Sequence, residues 1–189
     1  MRIGKLIIIS CSLFLFGCSA ALVPYTNDPE TKIDDAYRLI QDGRALPAEK
    51  LAREAVAAFQ QKGDYEGMGH AYTVLGVLYS SSAYRAAKKF YQDNGTYDPT
   101  YEKSISFHKK AMDSLRKAGD YWGVANSWVG VGDGYTNEGK PQKACDAYSE
   151  ALKTFEDPNA KNVGYMYSWN QKYPSYKAML EALVKKSCG

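Results

Sequence analysis

Apolar positions fall into three regimes along the chain. Leu6 to Phe16 is a continuous apolar run of eleven residues, broken only by Ser10, Cys11 and Ser12. From about residue 31 to 158 the pattern changes: apolar and small residues recur three and four positions apart, the spacing of one face of an α-helix. Such sets are Ala36, Leu39 and Gly43; Ala48, Ala52 and Ala55; Tyr72, Leu75, Gly76 and Tyr79; Ser104, His108, Ala111 and Met112; Trp128, Val131, Gly132 and Tyr135; Ala144, Tyr148 and Ala151. Beyond Pro158, Lys161 to Gln171 reads as a short helix. Pro174-Ser175 then opens a last one, Tyr176 to Lys186, with Met179, Ala182 and Leu183 on one face. The predicted fold class is all-α.

Punctuation between these segments repeats. Lys62-Gly63-Asp64-Tyr65-Glu66-Gly67 returns as Ala118-Gly119-Asp120-Tyr121-Trp122-Gly123, and each copy leads into a similar helix. Gly63 and Gly119 suit the left-handed position that ends a helix, and Asp64 and Asp120 suit the N-cap of the next. Asn159 falls at the corresponding position in the last copy. A pattern that returns at this scale predicts a stack of similar helical units.

Trp128, Val131, Gly132, Tyr135, Gly139, Ala144, Tyr148 and Ala151 resemble the tetratricopeptide repeat family almost throughout its pattern. Tyr72, Leu75, Gly76 and Tyr79 match the first half of that pattern, and Ala36, Leu39, Gly43, Ala48, Ala52 and Ala55 form a degenerate first copy. The resemblance implies an α-solenoid of about three helix hairpins over residues 31–158, with residues 159–189 as a C-terminal cap. In this scheme Gly76 and Gly132 let helix backbones approach Ala and Ser of the partner helix. Gly130, Gly132 and Gly134 weaken their helix unless packing offsets about 1 kcal/mol each.

Spacing separates the copies. From Gly132 to Ala144 is 12 residues, whereas from Gly76 to Ser104 is 28. Sixteen extra residues, around 84–99, therefore interrupt the second unit between its helices. Split evenly, they lengthen each helix by about 12 Å and give a projecting hairpin that turns near Asp93-Asn94-Gly95.

The amino terminus reads as an address. Arg2 and Lys5 precede the apolar run, which is shorter than the ~20 residues a membrane span needs. Leu15-Phe16-Gly17-Cys18 resembles the lipobox of bacterial lipoproteins, with Phe16 departing from the usual small residue. That resemblance implies a signal peptide over 1–17, a lipidated Cys18, and a tether over 18–30. Ser19, where an inner-membrane retention signal commonly carries Asp, implies outer-membrane sorting. Ordinary cleavage after Ala20 or Ala21 is the alternative.

Charge then narrows the partners. The chain has 24 Lys+Arg against 21 Asp+Glu, and removing Arg2 and Lys5 leaves 22 against 21. Nearly balanced charge argues against nucleic acid as a partner. Val129-Gly130-Val131-Gly132-Asp133-Gly134 is a poor phosphate loop because its glycines fall inside a helical pattern. His70 and His108 have no second ligand at metal spacing. No catalytic residue, metal site or cofactor is expected. The expected partner is a protein, with the membrane reached through the lipid on Cys18.

Two surfaces could hold that partner. The family resemblance projects a groove of Tyr37, His70, Thr73, Val77, Ser80, Asn126, Val129, Asp133 and Asn137. It holds no Lys or Arg, so capture of a peptide carboxylate is not expected there. The interruption offers Tyr84, Phe90, Tyr91, Tyr97 and Tyr101, which either bind a partner or zip the hairpin together. Sixteen tyrosines in 189 residues make this choice worth deciding, because a buried phenol without a partner is costly. Cys145 and Cys188 either form a disulfide or remain two thiols. The expected function is an accessory or assembly factor of the bacterial envelope, with a periplasmic immunity or inhibitor lipoprotein as the alternative.

Overall fold

The computed structural model describes residues 26–158, 160 and 172–189, which are helical apart from turns and loops. In chain order the helices are α1 (Pro29–Gln41), α2 (Ala45–Lys62), α3 (Tyr65–Ser80), α4 (Ser82–Ala86), α5 (Lys88–Asp93), α6 (Glu102–Ala118), α7 (Tyr121–Asn137), α8 (Pro141–Phe155) and α9 (Tyr176–Cys188). Helix α1 pairs with α2, α3 with α6, and α7 with α8, while α9 lies on α8. Consecutive pairs also touch: α2 meets α3, α6 meets α7, and α1, α3 and α7 are neighbours along one side. The fold is therefore all-α, built of three stacked helix pairs and a terminal helix. Among the described residues no helix is long and apolar enough to cross a membrane.

The Gly-Asp punctuation acts as expected. Gly63 (φ 68°) and Gly119 (φ 78°) end α2 and α6 in the left-handed region, where a side chain would be strained. The next N–H reaches back into the same helix, Asp64 N to Phe59 O at 3.0 Å and Asp120 N to Leu115 O at 2.9 Å. Each Asp carboxylate then accepts the N–H of a residue in the following helix, Gly67 N at 2.9 Å and Gly123 N at 2.8 Å. Two residues thus close one helix and open another, which forces successive helices to fold back on each other. Asp28 caps α1 in the same way, so that helix begins at Pro29, inside the 18–30 stretch expected as a tether.

The helical glycines do more than bring backbones together. A Cβ on Gly76 would lie 2.6 Å from the His108 ring, one on Gly130 2.4 Å from that ring, and one on Gly132 2.5 Å from the Tyr148 ring. Rings from α6 and α8 fill these notches, where Ala and Ser were expected. The small residue of the pair survives in Ser104, whose hydroxyl donates to the Gly76 carbonyl at 2.7 Å. The cost of three glycines in α7 is offset by what they admit: His108, Tyr148 and, at Gly134, Ile105.

The interruption does not project. Helix α3 stops at Ser80 because Ser81 is extended (ψ 161°), and its hydroxyl accepts the Tyr84 N–H at 3.2 Å to cap α4. Serine competes well for such local bonds, and three in a row break the expected extension. Helices α4 and α5 follow, then a left-handed Gly95 and a loop that Asp98 ties to α6 by accepting the Lys103 N–H at 2.7 Å. The whole segment folds onto α2 and α3. Its Tyr84 and Tyr91 belong to the same buried cluster as Leu51, Ala52 and Leu78.

At the other end, Met179 and Leu180 of α9 bury against Ala151 of α8. Of the face expected from Met179, Ala182 and Leu183, Met179 is buried and the other two are half-buried, while Leu180 is buried beside Met179. Lys177 pairs with Glu156 near one end of the two helices, and a disulfide joins Cys145 to Cys188 near the other. Helix α9 therefore runs antiparallel along α8 as the expected cap. Cys18, the expected signal peptide, most of the expected tether, Asn159 and the Lys161–Gln171 segment lie outside the described residues.

Candidate functional site

The face formed by α1, α3 and α7 carries the projected groove residues, but they are not equivalent. Thr73 is buried and its hydroxyl donates to the Gly69 carbonyl at 3.0 Å, so it serves α3 rather than a partner. Tyr37 packs against the first core cluster, and Val129 against the cluster that α8 and α9 share. Ser80 donates to the Val77 carbonyl at 3.0 Å. His70 lies 3.8 Å from Glu66 one turn earlier. His70, Val77, Ser80 and Asn126 are half-buried, whereas Asp133 and Asn137 are exposed.

Asp133 is the most distinctive group on this face. Its carboxylate accepts the Tyr148 hydroxyl at 2.7 Å, and that hydroxyl lies 3.1 Å from the Thr136 hydroxyl. Crowding by surrounding atoms raises the Asp133 carboxyl above its ordinary range, against the lowering effect of the Tyr148 bond. Desolvation likewise raises the Tyr148 phenol.

The interruption is a clamp. Tyr84 contacts the Tyr79, Tyr91 and Tyr97 rings at centroid distances of 5.0, 4.6 and 5.4 Å. Its hydroxyl accepts the Asp98 N–H at 2.7 Å. Below the rings, Glu49 of α2 accepts the Tyr79 hydroxyl at 2.6 Å on one oxygen and the Tyr91 hydroxyl at 2.7 Å on the other. Arg53 donates to both Glu49 and Tyr79, at 2.8 and 2.9 Å. Burial pushes the Glu49 carboxyl up, but these three donors outweigh it and hold the group below its ordinary range. Tyr79 and Tyr91 are raised by burial and by that carboxylate.

This geometry corrects the picture of a hairpin that presents its rings to a partner. Tyr84 and Tyr91 are 1% and 3% exposed, and Tyr97 and Tyr101 are half-buried. Only Phe90, at 49%, faces solvent. Glu49 and Arg53 were missed as members because, four residues apart on one helix, they read as an ordinary solvated pair. The phenol partners lie 30 and 42 residues from Glu49 and 26 from Arg53 along the chain.

Cys145 and Cys188, left open between bridge and thiols, are bonded. Among the described residues no group of His, Cys, Asp and Glu is placed to hold a metal ion. His108, expected to pack, is buried with its ring against Gly76 of α3 and Gly130 of α7. No family model, curated protein or solved structure matches the chain.

Proposed function

We propose that the chain is a lipid-anchored, tetratricopeptide-like interaction module of the bacterial envelope, serving as an accessory or assembly factor. One observation carries this reading. Three stacked helix pairs line up α1, α3 and α7 on one face, and that face keeps Asp133, Asn137 and Asn126 in reach of solvent. Polar groups held on a rigid scaffold favour recognition over core packing. The lipobox-like Leu15-Phe16-Gly17-Cys18 supports an anchor, with outer-membrane sorting implied by Ser19. A membrane-proximal module that holds a partner has no need of catalytic groups, and none is assigned here.

The test is co-purification of partners from envelopes by wild type and by Asp133→Ala/Asn137→Ala. The reading expects one or a few partners that the double variant loses while its thermal midpoint stays within a few degrees. Identical capture by both proteins would remove the face from consideration. For the anchor, Cys18→Ser is expected to move the protein from the membrane to the soluble fraction. Retention in the membrane would count against lipidation.

A further inference from the structure

A second site lies away from the α1/α3/α7 face, where α6 meets the corner between α7 and α8. There a cleft of about 440 Å³ opens, walled by Ile105 and Lys109 on one side and by Tyr135, Glu138, Lys140 and Lys143 on the other. Glu138 is its unusual member. The residue caps the C-terminus of α7, at the negative end of the helix dipole, and its side chain is only 7% exposed. One carboxylate oxygen, Oε2, pairs with Lys140 at 2.8 Å. Both oxygens are buried, and neither has a hydrogen-bond donor among the described residues. A buried carboxylate at a helix C-terminus, balanced by one ammonium and without a hydrogen bond, is costly, and a chain has little structural reason to keep one.

The groups around it indicate what would satisfy it. Tyr135 already holds a cation: the Lys143 ammonium sits 5.5 Å from its ring centroid. On the α6 wall Glu102 and Asp113 offset Lys109 and Lys110. The Lys140 side chain, 45% exposed on a flexible stem, covers Glu138 and can swing away. A single ammonium meets one oxygen, whereas a guanidinium presents two parallel N–H groups that meet both and a flat face that stacks on an aromatic ring.

We infer that this cleft binds an arginine side chain of a partner protein, with Glu138 as the bidentate acceptor, Tyr135 as the stacking face and Lys140 as the internal group that the arginine displaces. Lys109 and Lys143 at the walls favour acidic residues beside that arginine. The inference does not depend on the α1/α3/α7 face binding anything.

The probe is the tripeptide acetyl-Glu-Arg-Glu-amide, titrated into the full folded domain and followed by backbone amide NMR. Shifts are expected at Ile105 and across Tyr135–Lys143, and none with the same peptide carrying citrulline for arginine. Glu138→Gln is expected to weaken binding at least tenfold. Lys140→Ala, which removes the competing ammonium, is expected to tighten it severalfold. A stabilising role for the Glu138–Lys140 pair alone would not make the Lys140 variant bind better. Shifts scattered elsewhere, equal binding of the citrulline peptide, or unchanged or weaker binding by Lys140→Ala would each overturn the inference. Should Glu138→Gln fail to fold, the citrulline and Lys140→Ala arms decide it.

Discussion

Acidification should loosen the fold through His108. Its ring fills the notch between Gly76 of α3 and Gly130 of α7, and Nδ1 is buried with no hydrogen-bond partner. Burial alone pushes its pKa down to about 4, against 6.5 for the free side chain. The folded protein therefore holds the ring neutral, while the unfolded chain takes up a proton below about pH 6.5. Between those two values the unfolded state binds more protons, so stability falls as pH falls, and the loss is complete near pH 4. The gap of about 2.5 units corresponds to ~3 kcal/mol in all. Between pH 7 and pH 5 the same linkage costs ~2 kcal/mol. Urea unfolding of wild type and His108→Phe across this range isolates the effect, since phenylalanine keeps the ring in the notch and cannot titrate. The wild type should lose ~2 kcal/mol more than the variant between pH 7 and 5. Parallel curves for the two proteins would refute the enclosure of a neutral histidine.

Three further outcomes follow from the packing. Tyr91→Phe removes one donor to the Glu49 carboxylate and should cost about 1–2 kcal/mol in urea unfolding with little change in helix content; no loss would mean the interruption is not clamped to α2. Gly132→Ala places a methyl against the Tyr148 ring and should cost about 1–3 kcal/mol, with neutrality showing that the α7–α8 notch is not filled. Reducing the Cys145–Cys188 bond, which closes a separation of 43 residues, should cost up to ~4 kcal/mol in the chain-entropy model and speed amide exchange in α9 first. Exchange that is unaltered in α9 would show that the bond does not hold the cap.

What sequence alone reveals of this fold is its local grammar. The Gly63-Asp64 and Gly119-Asp120 pairs state where helices stop and start because both roles depend on the residue's own backbone and its nearest neighbours. Helical spacing likewise exposes which residues face inward. Contacts between distant elements are different. That His108 and Tyr148 occupy the glycine notches depends on how helices cross, which no single helix encodes. The interruption fails as a projecting hairpin for a local reason that was legible, the Ser80-Ser81-Ser82 run, and for a distant one that was not, the Glu49 carboxylate waiting for Tyr79 and Tyr91. Glu138 was invisible for the same reason: a glutamate before a Gly-Lys turn looks like surface until Tyr135, Ile105 and the lysines close around it. The tyrosine excess is thereby accounted for in part, with Tyr79, Tyr84 and Tyr91 spent on the clamp and Tyr148 on α7.

On the proposed function, the α1/α3/α7 face meets a protein in the envelope. Its most direct test is photo-crosslinking in intact cells, with the reactive residue placed at Asn126 or Asn137 on that face, at Tyr135 in the cleft, and at Gln60, exposed on α2, as control. One adduct of the same mass is expected from Asn126 and Asn137, absent from Gln60. Adducts from Gln60 alone, or none from the two asparagines, would contradict it.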